Sequence, residues 1–561
     1  MKDEYILGVH IGHDRCVAIL KNGELICALP QDRLDGKKYS QSAKLPFEAI
    51  NKILDYTGIT AKELSFIGVS YDVAEVDIYL DYLRESFYSK YGTVVPMVSV
   101  GHHISHAYST ACAFGKENTL VLVADGGGHV IGNKSEAESL FLFTKNSMVL
   151  LERRMQDLVR HRMMNEFNHF YPFMSETIKN LQISIGRKYE QVTYLLGFKF
   201  GQAGKTMGLA SYGKSLIDFS NKTFKDLSFN LTFADILSDI HYIKSISDYP
   251  TYASFIEGEK QNIAATVQSF TEHCILSLVN SFVEKYNMDT MCFAGGVFLN
   301  CLVNTMINEK SKLSKSFVFP AAGDDGQAVG NACFVYNLLH HEHASINSLP
   351  YIGIDYSNEK IKQVLNDKGL NYQFFEDTDT LIKVTANYIL NDNIVGIHRG
   401  RTEIGPRALC HRSILANPAN PNMKDIINDR VKHREPFRPF APVVTEERSK
   451  EIFSLTTKSP FMLLAPKVNE KYRHYIPSVV HVDNTARLQT ISKKDDYFIH
   501  ELLCEVEKTI GVPVLLNTSF NVNNQPIVET PEVAIDTFLR ENIDILIIGN
   551  FVVSDKKIKT L

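Results

Sequence analysis

The chain opens on short apolar runs broken by turns. Residues 5–9 and 17–20 are dense in aliphatic and aromatic side chains, joined by HIGHDRC, and Asn22-Gly23 is a tight-turn signal leading into residues 24–29. The same pattern returns at Thr119–Ala124, followed by the loop DGGG and a second hairpin, 140–143 and 149–151, turning at Asn146-Ser147. Two rounds of strand, tight loop and hairpin predict a duplicated α/β core. Helical periodicity marks residues 46–56, with Pro46 suited to a first turn, and 263–285. Residues 155–260 carry few strand signals and predict a mostly helical insertion.

A short strand over 290–293 leads into the Gly-rich turn FAGGVFLNC, and another over 317–320 leads into GDDGQA and a helix ending at Leu339. Glycines let a ligand approach the backbone closely, and a helix start offers free N–H groups to phosphate. The polar stretch HHEHASINSLPYIG, punctuated by Pro and Gly, divides the chain into domains 1–345 and 346–561. In the second, strands at 393–397, 512–517 and 543–548 alternate with helices at Tyr497–Ile510 and Pro531–Arg540. That is a separate α/β domain.

Bulk composition narrows the function classes. At 561 residues the chain exceeds one hydrophobic core. A formal net charge of -5 gives no support for a nucleic-acid partner. Nine dispersed cysteines, with no CxxC pair, read as reduced thiols in a cytoplasmic enzyme. The start MKDEYILGVHIG is too short and too acidic for a secretion signal, and no apolar run has the length of a membrane helix.

The candidate chemistry gathers in two places. His102 and His106 in GHHISHA lie four residues apart, on one face of a helix. Asp125 in LVLVADGGG and Asp324 in PAAGDDGQAVG each follow an apolar run, with Asp325 a rival for the last position. Two imidazoles and two carboxylates suit Fe, Mn, Zn or Ni. His103 stands where the helical H-E-x-x-H motif needs Glu, so this is not that protease signature. The second place is HRGRTEIGPRALCHRSILANP with DRVKHREPFRPFAPVV, which concentrates Arg401, Arg407, Arg412, Lys432, Arg434 and Arg438 among glycines and prolines. Guanidinium forks match oxyanions with paired hydrogen bonds, so rigid turns carrying them suit a small phosphate compound. Arg487, Asn517 and Ser519 could add donors. Arg412 and Arg434 are the two expected to brace the fold, against Glu403 and Glu435. Gly204-Lys205-Thr206 imitates the end of a phosphate loop, but Lys199 occupies the place of its first glycine.

At this point the motifs match a family. GHDRCVAIL, GHHISHA, ADGGG, SIGRKYEQVTYLLGF, GKTMGLASYG, FAGGVFLNC, PAAGDDGQAVG, RTEIGPRALCHRSILANP, KHREPFRPFAP and LLNTSFNVNNQPIVETPEVA run in order over nearly the whole chain. The chain resembles the O-carbamoyltransferases of the nodulation-protein and antibiotic-tailoring type. The resemblance implies an N-terminal domain on the duplicated actin/sugar-kinase fold, similar to the tRNA threonylcarbamoyl-transfer protein. It also implies a C-terminal domain like that protein's carbamoyl-adenylate-forming partner. Carbamoyl phosphate and ATP, with Mg2+, would give carbamoyl-adenylate, and the carbamoyl group would then pass to a hydroxyl of a small molecule or glycan.

By the same resemblance, Arg407, Lys432, Arg438 and Arg487, with Asn517 and Ser519, would hold carbamoyl phosphate. His102, His106, Asp125 and Asp324 would hold a metal, usually Fe2+ in such enzymes. Gly126, Gly127, Lys205, Gly295, Gly296 and Asn300 would hold the nucleotide, and His13 would be the base for the acceptor hydroxyl. An imidazole near neutrality suits that role. The chain departs from the family at Gln31 and Asp32, at residues 160–174, and at Cys410-His411. Two rival readings remain: N-carbamoyl transfer to tRNA, against which the charge balance argues, and a non-catalytic ATP-binding protein, which has no use for the basic cluster.

Overall fold

The computed structural model describes residues 3–71, 76–158, 179–232, 234–236, 249 and 251–554. The departure noted at residues 160–174 lies outside them. Two compact units form: Met1–Ile26 with Gln41–Asn347, and Cys27–Ser40 with Ser348–Leu561. Each unit is therefore assembled from separate stretches of chain. Among the described residues no helix is long and apolar enough to cross a membrane.

The first unit is built on two sheets of matching plan. β1 (Tyr5–Ile11), β2 (Cys16–Lys21), β3 (Glu24–Pro30), β4 (Leu64–Tyr71) and β5 (Met97–Ser99) lie in the order β3-β2-β1-β4-β5. β3 begins in this unit and runs across its boundary at Ile26. β1 pairs antiparallel with β2 and parallel with β4, and β4 pairs parallel with β5. Asn22 and Gly23 both have positive φ, 51° and 79°, as the tight turn between β2 and β3 requires. The second sheet has β6 (Thr119–Ala124), β7 (Val130–Ile131), β8 (Lys134–Phe143), β9 (Met148–Asp157), β10 (Thr290–Ala294) and β11 (Lys315–Val318). Here β6 pairs antiparallel with β8 and parallel with β10, and β10 pairs parallel with β11. With β9 beside β8, the order β9-β8-β6-β10-β11 repeats the first sheet strand for strand. The duplication expected from the sequence is present.

Two helices hold the first unit together at backbone distance. Gln327–His340 lies on β1 so closely that a Cβ on Gly8 would stand 1.8 Å from Ala328 O. A Cβ on Gly330 would stand 1.8 Å from Ser105 O, in the helix His102–Phe114. Neither position tolerates any side chain. β9 reaches Asp157, past the start of the helical insertion expected from residue 155. Beyond the undescribed stretch the insertion is helical at Ile185–Leu195, Ala203–Ala210 and Tyr252–Gly258. Ala203–Ala210 contains the GKT decoy, in a helix rather than after a strand.

The second unit is one mixed sheet between two helical layers. Its strands are β12 (Gln373–Phe374), β13 (Val395–His398), β14 (Arg412–Ala416), β15 (Ala441–Thr445), β16 (Gln489–Ile491), β17 (Val514–Ser519), β18 (Ile545–Ile548) and β19 (Phe551–Val553). They follow the order β12-β19-β18-β13-β14-β17-β15-β16. Leu415, Leu515, Ile545 and Ile547 pack with the helices Thr378–Leu390 and Tyr497–Ile510. Their neighbours Ile414, Ala416, Val514, Leu516, Leu546 and Ile548 pack with Asn358–Asp367 and Pro531–Arg540. Helices on both faces explain why these strands read as continuous apolar runs.

Gly330→Ala is expected to cost on the order of 1–3 kcal/mol by overpacking, read as a lower urea midpoint. Gly204→Ala, where nothing lies within 4 Å of the added carbon, should leave the midpoint unchanged or raise it.

Candidate metal centre and basic cluster

The carboxyl ends of the first unit's parallel strands carry its chemistry, as open α/β sheets generally do. His13 follows β1, Asp125 follows β6, Gly295 and Gly296 follow β10, and Asp324 lies beyond β11. The helix His102–Phe114, which follows β5, presents His102 and His106 one turn apart. Each of His102, His106, Asp125 and Asp324 offers a ligand atom within 4.8 Å of the others, so the four sequence-predicted residues converge. His102 Nε2 and His106 Nε2 both lie 3.2 Å from Asp125 Oδ2. They lie 3.3 and 3.1 Å from Asp324 Oδ1. Asp324, rather than its rival Asp325, is the carboxylate in the cluster.

The Gly-rich loops aim one of these ligands. Gly126 N–H and Gly296 N–H donate to Asp125 Oδ1 at 2.7 and 3.1 Å, which turns Oδ2 to the histidines. Gly295, at φ 97°, brings its turn against the end of β6, where a Cβ would meet Ala124 O at 2.2 Å. Gly127 lies in the same loop as Gly126. Asn300 caps the helix Cys301–Lys310, accepting from Leu302 N and Val303 N, and pairs with Gln268. Lys205 lies over the Phe198 ring, on the helix Ala203–Ala210.

Three further side chains reach this centre. His13 Nε2 lies 3.2 Å from Asp324 Oδ2, and its Nδ1 lies 3.1 Å from Asp14 Oδ2. Two were missed in the sequence. Fully buried His10 bonds Ser70 Oγ through Nδ1 at 2.9 Å, and its Nε2 lies 3.7 Å from Asp324 Oδ2. Gln327, also fully buried, places Nε2 2.9 Å from Asp324 Oδ1. Its only sequence signal is a position three residues after Asp324, where a helix begins. His103 faces away, to Ser139 Oγ at 2.8 Å.

The electrostatics separate the histidines by role. Burial disfavours a charged ring at His102 and His106, but the carboxylates of Asp324 and Asp125 outweigh it and hold both pKa values above the ordinary range. Burial likewise opposes the carboxylates, and at Asp125 so does the like charge of Asp324. The neighbouring imidazoles overcome this and keep both acids below their usual values. His10 is pushed down to about 3 and His103 to about 4, each chiefly by burial. The two carboxylates thus favour protons on both facing ring nitrogens, and a bound cation would have to displace those protons.

In the second unit the basic motif divides into braces and a positive pocket. Arg412 is a brace: it is fully buried and donates to the carbonyls of Gly400 at 3.0 Å and His411 at 3.1 Å. Glu403 Oε1 takes Leu409 N–H and Arg412 N–H. Arg401 ties Gly353 O and Ile352 O. Arg33, from the excursion Cys27–Ser40, donates to Glu403 O and Gly405 O at 2.7 Å each. The amide N–H groups of Asn517 go to Gln489 Oε1, Ala408 O and Cys410 Sγ, and its buried Oδ1 has no hydrogen-bond partner among the described residues.

The pocket side is different. Buried Lys432 Nζ is held by neutral oxygens, Ser519 O, Asn521 O and Asn521 Oδ1. Ser519 Oγ in turn donates to Asn521 Oδ1. Burial, then Arg434, Arg438 and Lys38, push the Lys432 ammonium well below its ordinary pKa. Arg434, stacked on Phe440, is brought down to about 9 by burial and then by Arg438. Arg438 pairs loosely with Glu435 at 3.8 Å. Arg407 and Arg487 are half-buried. An anion arriving here would relieve this mutual repulsion.

These features define an α/β protein with a candidate histidine–aspartate metal centre in one unit and a basic cluster in the other. Residues 77–333 match the family model described as the carbamoyltransferase N-terminus, and residues 386–555 match the carbamoyltransferase C-terminus. The chain belongs to the carbamoyltransferase family, and is a transferase enzyme. It is 30% identical to nodulation protein NolNO of Sinorhizobium fredii over 97% of this chain and 79% of that one. It is 26% identical to nodulation protein U of Rhizobium tropici over 93% and 91% of the two chains. Full-length HypF, in a phosphate- and nucleotide-bound form, superposes with a TM-score of 0.41 at 15% identity, covering 61% of this chain and 56% of that one.

Raised histidine pKa values fix the sign of a pH test. Below the ordinary histidine value of about 6.5 both rings are charged and must lose protons to bind a cation. Divalent-cation affinity should therefore tighten as pH rises above that value, with protons released to the buffer. Titration calorimetry in two buffers of different ionisation enthalpy checks this, and an affinity flat with pH would count against it.

Proposed function

We propose that this chain is an ATP-dependent O-carbamoyltransferase. Carbamoyl phosphate, ATP and water give carbamoyl-adenylate in the second unit with release of phosphate and pyrophosphate, and the carbamoyl group then passes to an acceptor hydroxyl at the first with release of AMP. The observation that carries the reading is the convergence of His102, His106, Asp125 and Asp324 beside His13 in a chain of this family.

Arg407, Lys432, Arg438 and Arg487 bind the phosphate of the donor. The low pKa of Lys432 supports this, since a dianion restores the charge that burial and Arg434 disfavour. Gly126, Gly127, Gly295, Gly296 and Lys205 line the nucleotide's place at the first unit. There a divalent cation, once bound by the two histidines and two aspartates, supplies Lewis-acid stabilisation of charge on the carbonyl or the leaving phosphate. His13 takes the proton of the acceptor hydroxyl at one ring nitrogen, while Asp14 or Asp324 orients the other. AMP is the better leaving group for attack by a neutral alcohol, which is why activation precedes transfer.

Supplied with carbamoyl phosphate and ATP, the protein should release AMP and pyrophosphate. A lack of carbamoyl phosphate-dependent turnover across a broad panel of hydroxyl acceptors would discard the reading. Arg438→Ala should slow adenylate formation roughly 10- to 100-fold, the equivalent of a lost charge-assisted hydrogen bond, and leave transfer from pre-made carbamoyl-adenylate nearly intact. His106→Ala should do the reverse. Loss of both half-reactions in either variant would argue against two separate sites.

A further inference from the structure

Gln327 has more neighbours at one end of its amide than it can serve, and none at the other. Its Nε2 lies 2.9 Å from Asp324 Oδ1, 2.9 Å from His102 Nε2, 3.0 Å from His102 Nδ1 and 3.3 Å from His106 Nε2. An amide nitrogen carries two hydrogens, and these are four contacts. Its Oε1 is buried with no hydrogen-bond partner among the described residues. A half-turn about the last side-chain bond exchanges the two ends without moving any other atom of the residue.

The spacings identify what belongs at that position. Ligands about 2.1 Å from a common cation are about 3.0 Å apart when they meet it at right angles, and about 3.4 Å apart in a tetrahedron. The four histidine–aspartate separations run from 3.1 to 3.3 Å. The amide end of Gln327 stands at 2.9, 3.3 and 2.9 Å from three of those ligand atoms, close to the right-angle spacing. It is placed as one more vertex of the same polyhedron.

We infer that Gln327, through its amide oxygen, is a fifth protein ligand of the divalent cation. This rests on the reading of the quartet as a metal centre. A neutral oxygen beside two nitrogens and two carboxylates takes the site beyond the four-ligand tetrahedron preferred by structural zinc. It favours instead a cation that accepts five or six ligands, such as Fe2+, Mn2+ or Co2+, with a remaining position for an oxygen of the reactant. Gln327 starts the helix whose Gly330 is locked against the histidine helix, so its reach to the centre is set by backbone packing.

The test is Co2+ titration of the full-length, metal-stripped protein, followed by visible absorption, with thermal melts of each metal-free variant as the folding control. Wild type should take up Co2+ with the weak absorption of a five- or six-coordinate ion. Gln327→Leu should bind roughly 10- to 100-fold more weakly and shift to the intense absorption of a four-coordinate ion. Gln327→Glu, which keeps an oxygen at the vertex and adds charge, should bind at least as tightly as wild type. It carries the test alone if the leucine variant does not fold. Were the amide only a donor bracing Asp324, the glutamate would repel that carboxylate and weaken binding, which overturns the inference. So does a leucine variant matching wild type in affinity and spectrum. If wild type itself takes up no Co2+, the metal-centre reading falls and this inference with it.

Discussion

The backbone contact between the helices His102–Phe114 and Gln327–His340 governs the arrangement of the first unit. With only hydrogen at Gly330, the second helix comes within contact of Ser105 O, which lies between the two cluster histidines in sequence. Its other side lies on β1 through Gly8 and Ala328. One helix start therefore delivers Asp324 and Gln327 to the histidines, and the strand beneath delivers His10 and His13. Protein interiors are too dense to absorb a shift of even one methylene, so the approach distance at Gly330 becomes the spacing of the centre.

The two chemical clusters are poised in opposite senses. In the first unit, cationic rings and carboxylates offset one another, and the burial that opposes each charge is overcome by its neighbour. In the second, Lys432, Arg434 and Arg438 crowd together; burial and mutual repulsion lower Lys432 and Arg434, and Glu435 only partly offsets this at Arg434. A balanced site exchanges its protons for a cation. An unbalanced one gains most from an anion.

Much of this was legible in the chain because it follows from local rules. The Asn22-Gly23 turn, the apolar runs of the doubly covered sheet, and the i, i+4 histidines each need only neighbours in sequence. β8 and β9 were seen only in part. Glu136 and Glu138 interrupt the apolar pattern of β8, yet both are buried, neutralised by Arg153 at 3.0 Å and Arg154 at 2.7 Å across the strand pair. Asn300 and Asn517 carry the right chemistry for a ligand, while the bonds they make with Leu302 N–H and with Gln489 Oε1 become visible only in the fold. Gln327 and Arg33 were not singled out, since their partners are distant in sequence and neither residue type advertises its role.

Arg33 also bears on how the molecule is made. Its two carbonyl acceptors are contributed 370 and 372 residues later. During synthesis the guanidinium emerges well before its two acceptors and stays hydrated until they have followed. The second unit thus closes around a strap made long before the carbonyls it holds, and such long-range pairing slows folding through the entropy of loop closure. A fragment starting at Ser348 would lack that strap, leaving the carbonyls of Glu403 and Gly405 without their arginine.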